Sequence, residues 1–240
     1  RLWEHRFMDT ADHIYASTDG LILVGGGSFN QDDLIRNARN ADIIAVDGGL
    51  HACQEAGITP CAVIGDLDSA GAAEIAALGE AVRVHHIAEQ ESTDLEKAMQ
   101  HITAPLCLGF GFLGRRFDHA LASFTMLARM TNTRPNMKIV LAGRHDALTV
   151  TKQTIKTAFP SDTRYSIWPC GAMEFDKSEG LTWALDGLTL SPCGQVGTSN
   201  RTSHATQMVQ PASDNATAFA IIVPVEYLGH LVDAVVSCVD

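Results

Sequence analysis

Short apolar runs alternate with helical patterns through the first part of the chain, and this alternation constrains the fold more than any other feature. The runs lie at 21–24, 43–46, 62–64, 82–84, 106–108 and 139–141. Helical spacing covers 32–39, 50–56, 72–78, 94–102 and 119–130 between them. Continuous apolar runs of this kind suit strands buried on both faces, which parallel strands joined by helices provide. The pattern predicts an α/β fold, with an N-terminal, mostly parallel α/β sheet domain over residues 1–145. The character changes near Arg144. Strand-like pieces at 148–151, 164–168 and 219–223 are separated by Gly, Pro, Ser and Thr clusters. These predict a smaller C-terminal all-β sandwich over 146–240. After Pro224, which a helix tolerates in its first turn, Leu228, Leu231, Val232, Val235 and Val236 recur at helical spacing and predict a helical tail.

Charge narrows the function. Lys and Arg number 17 against 28 Asp and Glu, a formal charge of -11. Such a surface argues against bulk nucleic-acid binding and against an anionic membrane surface, both of which need basic patches. An acidic enzyme still binds ATP when divalent cations neutralise the phosphates. The 46% hydrophobic content supports a sizeable core. The six cysteines are scattered without a C-x-x-C pair, which favours reduced thiols in a cytoplasmic protein. No apolar run approaches transmembrane length, and no signal-peptide core stands near the start.

Ligands in open α/β sheets bind beyond the carboxyl ends of the strands. Acidic residues fall there. Asp47 follows the 43–46 run, and Asp66 and Asp68 follow the 62–64 run. Asp94 stands at a helix entry, and Asp118 lies in Gly114-Arg115-Arg116-Phe117-Asp118-His119. Each alone is better explained as a helix N-cap. Together they are harder to assign to capping, because clustered carboxylates repel and a cation compensates them. Mg²⁺ takes one or two carboxylates together with phosphate oxygens and water. Gly25-Gly26-Gly27 lacks the Lys-Ser/Thr of a Walker A loop, and a plain strand-to-helix turn explains it about equally well. Gly109-x-Gly111-x-x-Gly114 formally fits a dinucleotide fingerprint. It ends in Arg115-Arg116, and the ribose-binding acid expected further on is missing.

These segments in order resemble the thiamine pyrophosphokinase family. They are Val46-Asp47-Gly48-Gly49, Ile64-Gly65-Asp66-Leu67-Asp68-Ser69, Gln90-x-x-Thr93-Asp94 and Gly114-Arg115-Arg116-Phe117-Asp118-His119. Gly180-Leu181-Thr182-Trp183 through Gly197-Thr198-Ser199-Asn200 follows them. The resemblance implies diphosphate transfer from ATP to thiamine and a homodimer with active sites at the subunit interface. It implies Mg²⁺ at Asp66, Asp68 and Asp94, with Asp47, Gln90, Thr93, Arg116 and Asp118 completing the nucleotide site. Asp66, Asp68, Asp94 and Arg116 would be catalytic. Ser199, Asn200 and Trp183 would hold thiamine, though a sandwich-core role explains Trp183 equally well. Two other classes stand beside it: a nucleotide-dependent oxidoreductase, resting on Gly109–Gly114, and a non-catalytic thiamine or nucleotide sensor.

Overall fold

The computed structural model describes residues 14–66, 77–87, 92–114 and 116–238. Asp68, Gln90 and most of the helix expected at 72–78 lie outside the described residues. The chain forms two compact units, residues 1–126 and 127–240.

The first unit is built on parallel strands. They are β2 (Leu21–Val24), β3 (Asp42–Val46), β4 (Ala62–Gly65), β5 (Arg83–His86) and β7 (Leu106–Phe110). Their order is β7-β2-β3-β4-β5, and every neighbouring pair is parallel. Strands β2 and β4 are buried along their whole length, as continuous apolar runs require. Strand β5 pairs with β4 at the sheet's end and carries Arg-Val-His-His, mostly exposed. Charged side chains on an end strand blunt pairing with other chains. A short separate parallel pair, β1 (Tyr15–Ala16) with β6 (Ile102–Thr103), belongs to the same unit.

The helices of this unit are α1 (Gln31–Asn37), α2 (Gly49–Glu55), α3 (Asp94–His101) and α4 (Phe117–Thr133), the last running past the division at residue 126. Helix α3 buries Leu95, Ala98 and Met99, an apolar stripe at helical spacing. Its N-cap is Thr93, whose Oγ1 accepts from the Glu96 backbone N–H at 3.4 Å. Capping therefore falls to Thr93 and not to Asp94. Thr93-Asp94-Leu95-Glu96 is a capping-box sequence, a signal visible in the chain itself.

The second unit pairs its strands antiparallel. One antiparallel run of strands has the order β11-β15-β9-β8, from β8 (Lys138–Ala142), β9 (Asp146–Thr151), β11 (Ser166–Pro169) and β15 (Phe219–Pro224). The other has the order β10-β14-β12-β13, from β10 (Ile155–Thr157), β12 (Met173–Glu179), β13 (Thr189–Leu190) and β14 (Gln207–Pro211). Phe175 of β12 meets Phe219 of β15 edge to face at 5.4 Å, so side chains from both sheets share one core. Helix α5 (Leu228–Ser237) buries Leu228, Leu231, Ala234 and Val235. Pro224 does not open this helix. It ends β15 opposite Asp146, and a 3₁₀ turn over Val225–Tyr227 comes between.

One expectation is corrected. The run at 139–141 was placed in a mostly parallel sheet, yet β8 pairs antiparallel with β9. Only residues 143–145 join them, and the Gly143 N–H bonds the Asp146 carbonyl at 2.8 Å. A connection this short makes a hairpin, because a parallel crossover needs a dozen or more residues. Over the described residues the fold is α/β with mixed pairing rather than mostly parallel.

Candidate active site

A pocket of about 430 Å³ opens in the first unit at the carboxyl ends of β2, β3, β4 and β7. Chain order turns back between β2 and β7: β3, β4 and β5 extend the sheet to one side of β2, and β7 lies on the other. Ligands favour the crevice at such a reversal.

Close backbone packing forms the pocket wall. The Gly25 N–H bonds the Phe110 carbonyl at 2.8 Å, and the Gly27 N–H bonds the Gly111 carbonyl at 2.9 Å. A Cβ on Gly27 would stand 2.3 Å from the Gly111 oxygen. Gly111, one of the glycines that resemble a dinucleotide fingerprint, thus has a steric role, since its own Cβ would stand 2.2 Å from the Gly25 oxygen. Gly65, with φ of +153°, has a related function. A Cβ there would stand 1.9 Å from Asp47 Oδ1.

Asp47, Asp66 and Asp94 all line this pocket, as do Thr93 and Arg116. Asp47 is 8% exposed and holds φ of +46°, a left-handed conformation costly for a residue with a Cβ. Such strain persists where the surrounding structure enforces it, and it concentrates at functional sites. The helix that follows Asp47 has Gly48 as its N-cap. Asp66 follows β4 directly and faces Lys97, whose Nζ lies 4.0 Å from Asp66 Oδ2. Lys97 is 3% exposed. Its buried ammonium offsets part of the acidic charge, and the sequence reading did not single it out. The available signal was its position three residues after Asp94, which puts the two on one side of α3.

Arg116 and Asp118 form a two-pronged pair, Nε to Oδ1 at 3.1 Å and the guanidinium NH2 nitrogen (Nη2) to Oδ2 at 2.6 Å. Arg116 lines the pocket, whereas Asp118 is not among its lining residues. Asp118 holds the guanidinium from outside. The hydrogen bonds from Arg116 keep the Asp118 carboxyl below its ordinary pKa, and the same bonds raise that of Arg116. A lowered carboxyl pKa means the pair persists above the ordinary aspartate range and is lost only as pH falls through the lowered value. Carboxyl-carbon NMR should therefore show Asp118 titrating below the ordinary aspartate value. Titration at the ordinary aspartate value would show the pair to be absent in solution.

The second unit holds the remaining predicted residues. Trp183 is 58% exposed, so it is a surface residue and not part of the sandwich core. Ser199 has φ of +61°, and its N–H bonds Ser166 Oγ at 3.0 Å. Asn200 is 4% exposed and sits against the Trp183 backbone. These three do not line the pocket of the first unit. Among the described residues, no group of three or more His, Cys, Asp or Glu is disposed to hold a metal ion.

Comparison with known proteins bears on this arrangement. Residues 34–141 match the family model described as thiamin pyrophosphokinase, catalytic domain. That segment is similar to the catalytic domain of thiamin pyrophosphokinases. It contains Asp47, Asp66, Asp94 and Arg116. Thiamine pyrophosphokinase 1 of Oryza sativa subsp. japonica is 27% identical over 141 residues, 52% of this chain and 52% of the relative. The match thus spans about half the length of that curated relative. Two solved structures share the fold over nearly their whole length. Thiamin pyrophosphokinase from Candida albicans superposes with a TM-score of 0.74 at 13% identity, covering 90% of this chain and 94% of that one. Thiamine pyrophosphokinase from Bacillus subtilis gives 0.72 at 20% identity, covering 86% and 99%. No described helix is long and apolar enough to cross a membrane.

Proposed function

We propose that the protein transfers the diphosphate of ATP to the hydroxyl of thiamine, giving thiamine diphosphate and AMP. The observation that carries this reading is the convergence of Asp47, Asp66, Asp94 and Arg116 on one pocket, within the segment that matches the family model.

Each group has work suited to a polyphosphate. The N-terminal turns of α3 and α4 contribute Thr93, Asp94, Arg116 and His119 to the pocket, and a helix N-terminus favours anions. Arg116, already oriented by Asp118, meets phosphate oxygens in a geometry that suits its planar fork. The glycine loops expose backbone without side chains to obstruct a phosphate. The carboxylates are hard oxygen donors and fit Mg²⁺, with Asp66 and Asp94 as the described candidates to hold it and Asp68 as the third. When bound, Mg²⁺ would neutralise charge on the polyphosphate.

In the reaction, the hydroxyl oxygen of thiamine forms a bond to the β-phosphorus. The bond from that phosphorus to the oxygen bridging to the α-phosphorus breaks, and AMP leaves with the bridging oxygen. The hydroxyl proton passes to a pocket carboxylate or to water. Little base strength is needed, since phosphoryl-type transfer depends mainly on positioning and charge stabilisation. Trp183 offers an exposed aromatic face suited to a cationic thiazolium, with Ser199 in the same unit. A homodimer, cytoplasmic location and Mg²⁺ dependence complete the proposal. The chain has no Walker A lysine to grip the β- and γ-phosphates for γ-transfer.

Product analysis tests it. After brief turnover with ATP, thiamine and Mg²⁺, AMP and thiamine diphosphate should appear in equal amounts. ADP with thiamine monophosphate as the first product would overturn the assignment.

A further inference from the structure

We infer that Asn200 acts as a positioning residue that fixes Trp183, and not as a direct ligand of the substrate. This inference rests on the proposed thiamine chemistry for its kinetic meaning, but its structural basis is independent.

Asn200 Oδ1 accepts from the Trp183 N–H at 3.1 Å and from the Arg201 N–H at 2.8 Å. Asn200 Nδ2 donates to the Trp183 carbonyl at 2.7 Å. One side chain therefore satisfies both backbone groups of a single residue. The orientation of the amide is forced, because two N–H donors require oxygen and a carbonyl requires nitrogen. Both acceptor positions and one of two donors are thereby used. With a 4% exposed side chain, little of Asn200 is left to meet a ligand.

The surrounding backbone supports the same role. Leu181 bridges Thr202, the Thr182 N–H bonds the Arg201 carbonyl at 2.8 Å, and the Tyr165 N–H bonds the Asn200 carbonyl at 2.7 Å. Asn200 is thus anchored to the buried Tyr165 on one side and holds Trp183 on the other. Trp183 itself is 58% exposed, so few packing contacts restrain its ring. An exposed aromatic that must meet a ligand needs its backbone fixed, because ordering it on binding would weaken affinity.

A double-mutant cycle tests this with AMP release as the assay. Asn200→Ala should raise the KM for thiamine about tenfold, the effect of one or two ordinary hydrogen bonds, while the KM for ATP stays unmoved. Trp183→Ala should also raise the thiamine KM. The double variant should match Trp183→Ala within about twofold, since no ring is left whose placement Asn200 could set. Multiplying losses would show that Asn200 acts without Trp183 and would overturn the inference.

A second measurement needs no turnover. Protein labelled with 5-fluorotryptophan, with Trp183 assigned through Trp183→Phe, is examined by fluorine NMR without ligand. Asn200→Asp keeps both acceptor bonds but turns an oxygen toward the Trp183 carbonyl. It should shift or broaden the Trp183 resonance and leave that of Trp168 in place. An unmoved Trp183 resonance in a folded variant would overturn the clamp. Failure of the wild type to process thiamine would instead overturn the proposed function and leave this measurement standing.

Discussion

Replacing Asp66 by Asn should reduce kcat/KM for ATP-dependent turnover by about 100-fold or more, the scale seen when one preorganised charge partner is removed from a transition state. Asp66 follows β4 directly into the pocket, where a carboxylate meets any cation that accompanies the triphosphate. The substitution keeps size and removes charge, so the loss should appear chiefly at limiting Mg²⁺. It should have a second consequence. Lys97 is 3% exposed and faces Asp66 at 4.0 Å. Neutralising Asp66 leaves a buried ammonium with less counter-charge, and a buried charge whose partner is removed is costly. Asp66 is 29% exposed on its side chain, so water tempers the cost to about 1–2 kcal/mol. Lys97→Met in the Asp66→Asn background should recover much of that stability but none of the activity. Near-wild-type turnover of Asp66→Asn at limiting Mg²⁺ would remove Asp66 from the site. Recovery of activity in the double variant would show that Lys97, and not the carboxylate, had been the sensitive group.

Gly49→Ala should destabilise the protein by about 3 kcal/mol, the upper end of ordinary overpacking. A Cβ on Gly49 would lie 1.7 Å from the Val24 carbonyl oxygen and 2.5 Å from its carbon. Both are backbone atoms of a buried strand, so no side chain can swing aside. The melting temperature should fall by roughly 6–12 °C for a chain of this size. Gly57→Ala is the control. Gly57 has φ of +68° and nothing within 4 Å of its added Cβ, so only conformational strain of about 1 kcal/mol applies. Thermal and urea unfolding of the two variants give the comparison. Equal losses would mean that strand β2 yields to α2, and that the pocket wall is softer than its packing implies.

The two results would separate charge in the pocket from the backbone packing beside it. Asp66 contributes a charge that a cation and its phosphates require. The glycine contacts let the loops after β2, β3 and β7 approach one another. Gly27 against Gly111 and Gly49 against Val24 leave no room for a side chain. Each substitution should move one observable most: activity for Asp66, with a modest loss of stability, and stability for Gly49.

Much of this was legible in the chain. Strands β2, β3, β4 and β7 are apolar runs that burial on both faces explains, and acids stand immediately after β3 and β4. Residue order alone therefore determined that Asp47 and Asp66 would lie at strand ends, where an α/β sheet binds ligands. The capping box at Thr93 was also present in the sequence. Tertiary structure decided the rest, for physical reasons that local sequence does not carry. Lys97 looks like any solvated helix residue until β4 brings Asp66 beside it. Asp47, whose N–H bonds the Ile64 carbonyl, and Ser199, whose N–H bonds Ser166 Oγ, adopt positive φ against their intrinsic preference. The direction of β8 follows from its hairpin to β9, since an apolar run at 139–141 reads the same in a parallel or an antiparallel sheet. Asn200 reads as a polar residue available to a substrate. Only the fold shows its amide turned onto the Trp183 backbone, because a hydrogen-bond partner seventeen residues away in sequence is set by how strands and loops meet, not by neighbours along the chain.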